Sequence, residues 1–212
     1  MRLVFLALAA LVTLAGCAAD TRYSSQDAVL NAAYQAPGGP SLTVFTMISN
    51  DTGSGGHSGL LINGSQRVLF DPAGSWYHPA VPEQNDVHFG MTEFMLDFYV
   101  DFHARETYYV VMQEIPLTLE QADAMIASAR AQGAAPKAYC TQYNTAVLKR
   151  VPGFENIRKT WFPVNLMEQI AKLPNVTTRK IYDDDPDYNK AMLQAGIVPV
   201  PRAEFTGRVF VE

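Results

Sequence analysis

The most constraining stretch of the sequence is a predicted β-hairpin at residues 55–71, GGHSGLLINGSQRVLFD. Two short apolar runs flank Asn63 and Gly64, and Asn-Gly is a strong hairpin signal because both residues tolerate positive φ. If the strands pair symmetrically about Gly64, His57 lies opposite Asp71 at the open end. Directly opposite residues on paired strands have interacting side chains. The sequence therefore predicts an imidazole beside a carboxylate.

The start of the chain has the features of an export signal. A basic residue precedes an apolar run at residues 3–14, which is too short to span a membrane, and small residues follow it. The sequence Leu-Ala-Gly-Cys that ends there resembles the lipobox of bacterial lipoproteins. This resemblance implies removal of residues 1–16, lipidation of Cys17 and, because Ala18 follows, anchoring in the outer membrane facing the periplasm. The alternative is an ordinary signal peptide cut near Ala18 or Ala19.

The cysteine count bears on chemistry. The sequence has 2 cysteines, and lipidation would use Cys17. Cys140 would then be alone in an oxidising compartment, without a partner for an intramolecular disulfide. An unpaired thiol there is either a small buried apolar group or a reactive one.

Length and charge restrict the remaining possibilities. A formal net charge of -5 argues against a nucleic-acid partner. Residues 41–212 are long enough for one substantial core and are expected to form a single domain. Residues 17–40 are expected to be the lipidated N-terminus and a tether, with a short helix around residues 27–34.

Periodicity and turn signals predict elements of both kinds. Apolar and β-branched runs predict strands at residues 41–49, 108–115, 176–182 and 208–211. Apolar spacing, a capping box at Thr118 and Gln121 and a proline at position 163 predict helices at residues 92–104, 119–132, 140–150 and 163–172. The irregular residues 72–87 are expected to form a lid or one wall of a cleft.

Cys140 is the candidate nucleophile for the predicted histidine. It stands where a predicted helix begins, and the macrodipole and free N–H groups of a helix N-terminus favour a thiolate. A neighbouring imidazole such as that of His57 would complete the activation. The same N–H groups could hold the oxyanion of a tetrahedral intermediate.

These motifs together resemble the circularly permuted NlpC/P60 proteins, papain-like enzymes in which the histidine precedes the cysteine. The lecithin retinol acyltransferase-like branch shares that order. The matching segments are residues 57–62 (HSGLLI), 68–71 (VLFD) and 139–144 (YCTQYN). The resemblance covers roughly residues 41–150. It implies an α+β fold in which an antiparallel sheet packs against a helix bearing the cysteine at its N-terminus.

The same resemblance implies roles for individual residues. Cys140 would be the nucleophile, His57 the general base and Asp71 the group that orients His57. Tyr139 is expected in the wall of a substrate site. Asn144, one helical turn after Cys140, is a candidate substrate contact but is expected to position backbone rather than take part in chemistry.

The expected function is a lipid-anchored thiol hydrolase of the cell envelope. It would cleave an amide bond in cell-wall peptide or similar material through an acyl-enzyme, without a cofactor. One alternative is a non-catalytic lipoprotein that binds cell-wall peptide or a protein partner in the same cleft. Another is a lipid acyltransferase or esterase with the same triad.

Metal chemistry is not expected. The other histidines, His78, His88 and His103, form no His-x-x-x-His pair and have no companion cysteines, which argues against zinc. The acidic residues 183–187 could bind calcium, but they lack the glycine and terminal glutamate of an EF-hand loop. A solvated acidic turn is the favoured interpretation.

Overall fold

The structure is a computed structural model that describes residues 22–187 and 208–211. The predicted leader and the lipidation site at Cys17 lie outside the described residues. Among the described residues, no helix is long and apolar enough to cross a membrane.

One antiparallel sheet dominates the described part of the chain. Its strands are β1 (Ser41–Ser49), β2 (Gly55–Asn63), β3 (Arg67–Phe70), β4 (Glu83–Gln84), β5 (Val87–Phe89), β6 (Tyr108–Pro116), β7 (Thr177–Tyr182) and β8 (Arg208–Val211). Their order across the sheet is β4-β5-β3-β2-β1-β6-β7-β8, and each neighbouring pair is antiparallel. The helices are α1 (Gln26–Asn31), α2 (Glu93–His103), α3 (Leu119–Gln132), α4 (Cys140–Leu148) and α5 (Pro163–Ile170). The α+β class is confirmed.

The helices begin where local chemistry places them. The Thr118 hydroxyl accepts a hydrogen bond from the N–H of Gln121, whose side chain accepts from Thr118 N–H, so the predicted capping box caps α3. The Thr92 hydroxyl accepts a hydrogen bond from the N–H of Met95 and thereby caps α2. Pro163 occupies the first turn of α5, where its missing N–H costs nothing.

The sheet is covered on both faces, which explains the continuous apolar runs in its central strands. On one face, Leu60 and Ile62 belong to the α4-side core, together with Leu148 and residues of α3 and α5. On the other face, Leu61 belongs to the α2-side core, together with Trp76 and residues of α2. Successive side chains of a strand alternate between faces.

The hairpin register differs from the prediction. Asn63 pairs with Arg67 and Leu60 with Phe70, so the strands are symmetric about Ser65 and not about Gly64. Neither residue of the Asn-Gly pair has a positive φ, so the turn that this pair favours does not form. The reason is contact with α3: the Asp123 carboxylate accepts from Ser65 N–H at 2.8 Å.

The tight turn expected at Asn63 occurs elsewhere, between β4 and β5. Asn85 and Asp86 have φ of 50° and 65°, and Gln84 pairs with Val87 across them. Two central residues with positive φ are the signature of a type I′ hairpin. The irregular segment predicted to end at Val87 therefore contains a hairpin, and its Trp76 is buried in the α2-side core, so it is a fixed wall and not a lid.

The described part of the predicted tether packs against the domain. Val29 of α1 is 2% exposed and lies in the α4-side core. The carbonyl of Tyr34 accepts from Arg67 N–H at 2.7 Å, and that of Pro40 accepts from Leu117 N–H at 2.9 Å. The expectation of a tether extending to residue 40 is therefore wrong for residues 22–40.

Candidate active site

The hairpin brings His57 and Asp71 together, although not as directly opposite residues. His57 Nε2 lies 2.7 Å from Asp71 Oδ1. In the observed register Asp71 follows β3 beside Gly59, so the two side chains meet diagonally across that glycine. A β-carbon at Gly59 would lie 3.1 Å from Asp71 Oδ1 and 2.7 Å from the Tyr99 hydroxyl oxygen. The missing side chain therefore makes room for the contact.

Asp71 is held as a buried carboxylate. It is 2% exposed, and the Tyr99 hydroxyl donates to its Oδ1 at 2.8 Å. Burial opposes its ionisation, but the positive charge and hydrogen bond of His57 outweigh burial and lower the Asp71 pKa to about 2. Gly74 packs directly against it: a β-carbon there would lie 1.8 Å from Asp71 Oδ2. Only glycine fits at position 74 without a rearrangement.

Cys140 is the first residue of α4, and its thiol interacts with His57. Burial raises the pKa of the thiol, but the hydrogen bond and charge of His57 outweigh it and lower the Cys140 pKa from 9.0 to about 7. Burial likewise opposes the charge on His57, yet Asp71 outweighs it and raises the His57 pKa to about 10. Between those two values the pair is a thiolate and an imidazolium.

The geometry assigns the two ring nitrogens of His57. Since Nε2 bonds to Asp71, Nδ1 is the nitrogen left for the thiol. One imidazole thus joins a buried carboxylate to a thiol, which is the arrangement of a nucleophile, a base and an orienting group.

The N-terminus of α4 has no side-chain cap. Its cap residue, Tyr139, makes no side-chain hydrogen bond to the helix, and the first-turn N–H groups of a helix have no intrahelical partner. The preceding residue, Ala138, has a φ of 69°, a conformation that costs a non-glycine residue about 1 kcal/mol or more. Strained backbone of this kind is common at functional sites. Here it sets the direction in which the chain enters α4 at Cys140.

Asn144 anchors α4 to the sheet. Its amide nitrogen donates to the Ser58 carbonyl at 2.8 Å and lies 3.0 Å from the Ser58 hydroxyl. Ser58 Oγ is also 3.3 Å from Thr141 Oγ1. Asn144 is 0% exposed, so the prediction that it contacts substrate is wrong, whereas a positioning role agrees with its contacts.

Tyr139 lies at the rim of the site. It is 38% exposed, and its ring centroid is 4.7 Å from that of Trp161, which is also exposed. Its place in a substrate wall stays a prediction.

Sequence reasoning missed two residues of α2 behind the triad. Tyr99 donates to Asp71, and its carbonyl lies 2.8 Å from His103 Nδ1. The His103 ring stacks on that of His57 at a centroid distance of 5.9 Å and an interplanar angle of 13°. The i, i+4 spacing of Tyr99 and His103 was visible in the sequence, but this spacing does not reveal which residues face the two side chains.

Asp86 is a third residue that sequence reasoning missed. It is 5% exposed, and its backbone carbonyl accepts from Asp71 N–H at 2.9 Å. Its carboxylate accepts from Ala135 N–H at 2.7 Å and from Ala73 N–H at 3.4 Å. Asp86 therefore joins the loop that carries Asp71 to the loop that leads into α4.

The acidic cluster predicted from residues 183–187 is partly neutralised. Asp101, Asp183 and Asp185 bring carboxylate oxygens within 4.8 Å of one another. Arg105 donates to Asp101 at 2.9 Å and to Asp185 at 3.1 Å. The Arg105 guanidinium therefore neutralises part of the negative charge of this cluster. This agrees with the interpretation of residues 183–187 as an acidic turn.

Comparisons of the chain with protein-family models, with curated proteins and with solved structures give no match. The functional interpretation therefore depends on the geometry of the site.

Proposed function

We propose that this protein is a cysteine hydrolase of the permuted NlpC/P60 kind that cleaves an amide bond in peptide material of the cell envelope. The observation that carries the proposal is that His57 lies 2.7 Å from the buried Asp71 carboxylate and, through a hydrogen bond and its charge, lowers the pKa of the Cys140 thiol to about 7 despite burial. The chain order of histidine, carboxylate and helix-opening cysteine agrees with a permuted papain-like fold. Lipidation of Cys17 would anchor the enzyme to the outer membrane.

The mechanism begins with the ion pair. The Cys140 thiolate attacks the amide carbonyl carbon, and the carbonyl oxygen becomes an oxyanion near the first N–H groups of α4. The His57 imidazolium gives its proton to the amide nitrogen, the C–N bond breaks, and an amine leaves a thioester on Cys140. Neutral His57 then takes a proton from water as the oxygen attacks the thioester. The C–S bond breaks, an acid is released and the ion pair is restored.

The proposal is tested by mass spectrometry of envelope extracts treated with wild-type protein, Cys140→Ala or Cys140→Ser. We expect new fragments with free amine and acid ends from the wild type and none from Cys140→Ala, because no other described group can form the thioester. Circular dichroism should show that both variants are folded. Full turnover by both variants would remove the basis of the proposal.

Iodoacetamide separates an enzyme from a non-catalytic binder. About half of a thiol with a pKa of about 7 is a thiolate at pH 7, and the thiolate is alkylated quickly. Slow alkylation of Cys140 in the folded protein would favour the binding alternative.

A further inference from the structure

A cavity of about 320 Å³ lies beside His57. Its wall is mostly apolar, with a serine and a second histidine. Besides His57, its lining includes Met47, Ser75, Phe102, His103 and Tyr108. Tyr108 closes one side by packing against the backbone of β2, since a β-carbon at Gly56 would lie 2.6 Å from its ring.

The position of the cavity assigns it to one side of the scissile bond. His57 lines it, whereas Cys140 is not among its described lining residues. In the proposed reaction His57 protonates the departing amine, so the group attached to that amine lies next to the imidazole. The cavity is therefore on the leaving-group side.

His103 lines this cavity, and its hydrogen bonding leaves one ring nitrogen as an acceptor. Its Nδ1 is 2.8 Å from the Tyr99 carbonyl, and because a carbonyl only accepts, Nδ1 carries the proton. Burial and the positive charge of the stacked His57 lower the His103 pKa to about 4 despite Asp71, so the ring is neutral. Nε2 then has a free lone pair, and no described residue bonds to it.

The charges around the cavity select what can enter. In the acyl-enzyme His57 is neutral, so a bound ammonium or carboxylate would lose its hydration without an opposite charge among the described lining residues. A carboxylate would also face the lone pair of His103 Nε2. A group with a neutral N–H or O–H donor avoids both penalties and satisfies Nε2, while its carbon atoms contact Met47 and Phe102.

From this arrangement, which rests on the proposed function, we infer that the cavity is a leaving-group subsite for an uncharged side chain that carries a hydrogen-bond donor. A carboxamide or a hydroxyl is the matching chemistry. His103 Nε2 is its acceptor and the specificity-determining atom.

The test uses p-nitrophenyl acetate and amino-acid amides. Attack by Cys140 on the ester releases p-nitrophenolate and leaves an acetyl thioester, whatever the cavity prefers. An added amine that binds the cavity then attacks the thioester carbon and gives its proton to His57, and the C–S bond breaks to yield an N-acetyl amide. This step is the reverse of leaving-group departure. The ratio of amide to acetate measures occupancy of the subsite, independently of how fast the acyl-enzyme forms.

Four acceptors of similar length distinguish the chemistries: glutaminamide, isoglutamine with its carboxylate, lysinamide and norleucinamide. With the wild type we expect glutaminamide to give about tenfold more amide product per acetate than the two charged acceptors. We expect it to exceed norleucinamide by roughly 3- to 10-fold, the usual value of one neutral hydrogen bond.

Variants assign the effect to one atom. His103→Phe keeps a ring but removes the acceptor, so the advantage of glutaminamide over norleucinamide should disappear, whereas His103→Gln should retain part of it. His78→Phe is the matched control, since His78 does not line the cavity, and should leave the ratios unchanged. If His103→Phe does not fold, the wild-type acceptor series remains decisive.

The outcomes separate the two claims. The absence of a p-nitrophenolate burst that depends on Cys140 would contradict the proposed function, and the inference with it. A normal burst followed by equal partitioning to all four acceptors would overturn the inference alone. A preference for lysinamide or isoglutamine would also overturn it.

Discussion

The acidity of Cys140 should depend on His57, and replacing His57 by Gln tests this directly. The thiol pKa is lowered from 9.0 to about 7 because the hydrogen bond and charge of His57 outweigh burial. A tenfold change in an ionisation constant corresponds to about 1.4 kcal/mol, so the net balance of burial against His57 and the other hydrogen bonds to the thiol favours the thiolate by roughly 3 kcal/mol. In His57→Gln burial remains and the cation is gone, so the pKa should be 9 or higher.

The expected effect is large near neutral pH. At about pH 7.5, roughly three quarters of a thiol with a pKa near 7 is ionised, against about 3% of one with a pKa near 9, a difference of about 25-fold. A thiolate of lower pKa is also intrinsically less nucleophilic. The measurement is therefore the midpoint of the pH–rate profile and not the rate at one pH.

The assay is alkylation by iodoacetamide across a pH series, followed by mass spectrometry of the tryptic peptide 138–149, which contains Cys140. We expect a midpoint near 7 in the wild type and at 9 or above in His57→Gln, with His78→Gln matching the wild type. A second change in the wild type should appear near pH 10, where His57 loses its proton. A wild-type midpoint near 9, or equal midpoints in wild type and His57→Gln, would refute the reasoning.

Three further substitutions probe the support of the triad. Tyr99→Phe removes the hydroxyl that donates to Asp71. Because a hydrogen bond to a charged group contributes about 1.5–3 kcal/mol, the free energy of unfolding measured in urea should fall by that amount. An unchanged urea midpoint would contradict this prediction. Gly74→Ala places a β-carbon 1.8 Å from an Asp71 oxygen. The carboxylate must then move, and misplacing a group of the site should reduce activity by about tenfold or more. Gly39→Ala is the control and should behave as wild type, because nothing lies within 4 Å of a β-carbon there. Asn144→Ala removes two contacts to Ser58 of β2. The free energy of unfolding in urea should fall by about 1–3 kcal/mol. An unchanged urea midpoint would argue against the anchoring role of Asn144.

The interaction of His57 with Asp71 and Cys140 was predictable because each of the three residues has a local signal. His57 and Asp71 flank a hairpin, and Cys140 opens a helix before Pro152 and Gly153 end the pattern. The register was not predictable, because Asp123 of α3 sets the loop from outside the hairpin. The observed register differs from the predicted one by two residues, so Asp71 stays on the same face as His57 but lies diagonal to it, and Gly59 leaves room for the contact.

The supporting residues were hidden for two reasons. Tyr99 and His103 are part of an apolar helix face, and periodicity identifies the face but not its partner. Asp86 had a detectable turn signal, since Asn85 and Asp86 are residue types that tolerate positive φ. Its carboxylate, however, bonds to Ala135, and that contact joins segments far apart in the chain.

The Asp86 bridge has a consequence for when the thiol becomes reactive. The hairpin supplies the imidazole and its carboxylate early in the chain, whereas the sulfur arrives with α4, and Asp86 ties the two loops together. Acidity of Cys140 is thus a property of the completed domain, and in an unfolded chain the sulfur is an ordinary cysteine with a pKa of about 8.5. Alkylation kinetics of this one residue can therefore report when α4 and the hairpin come together during folding.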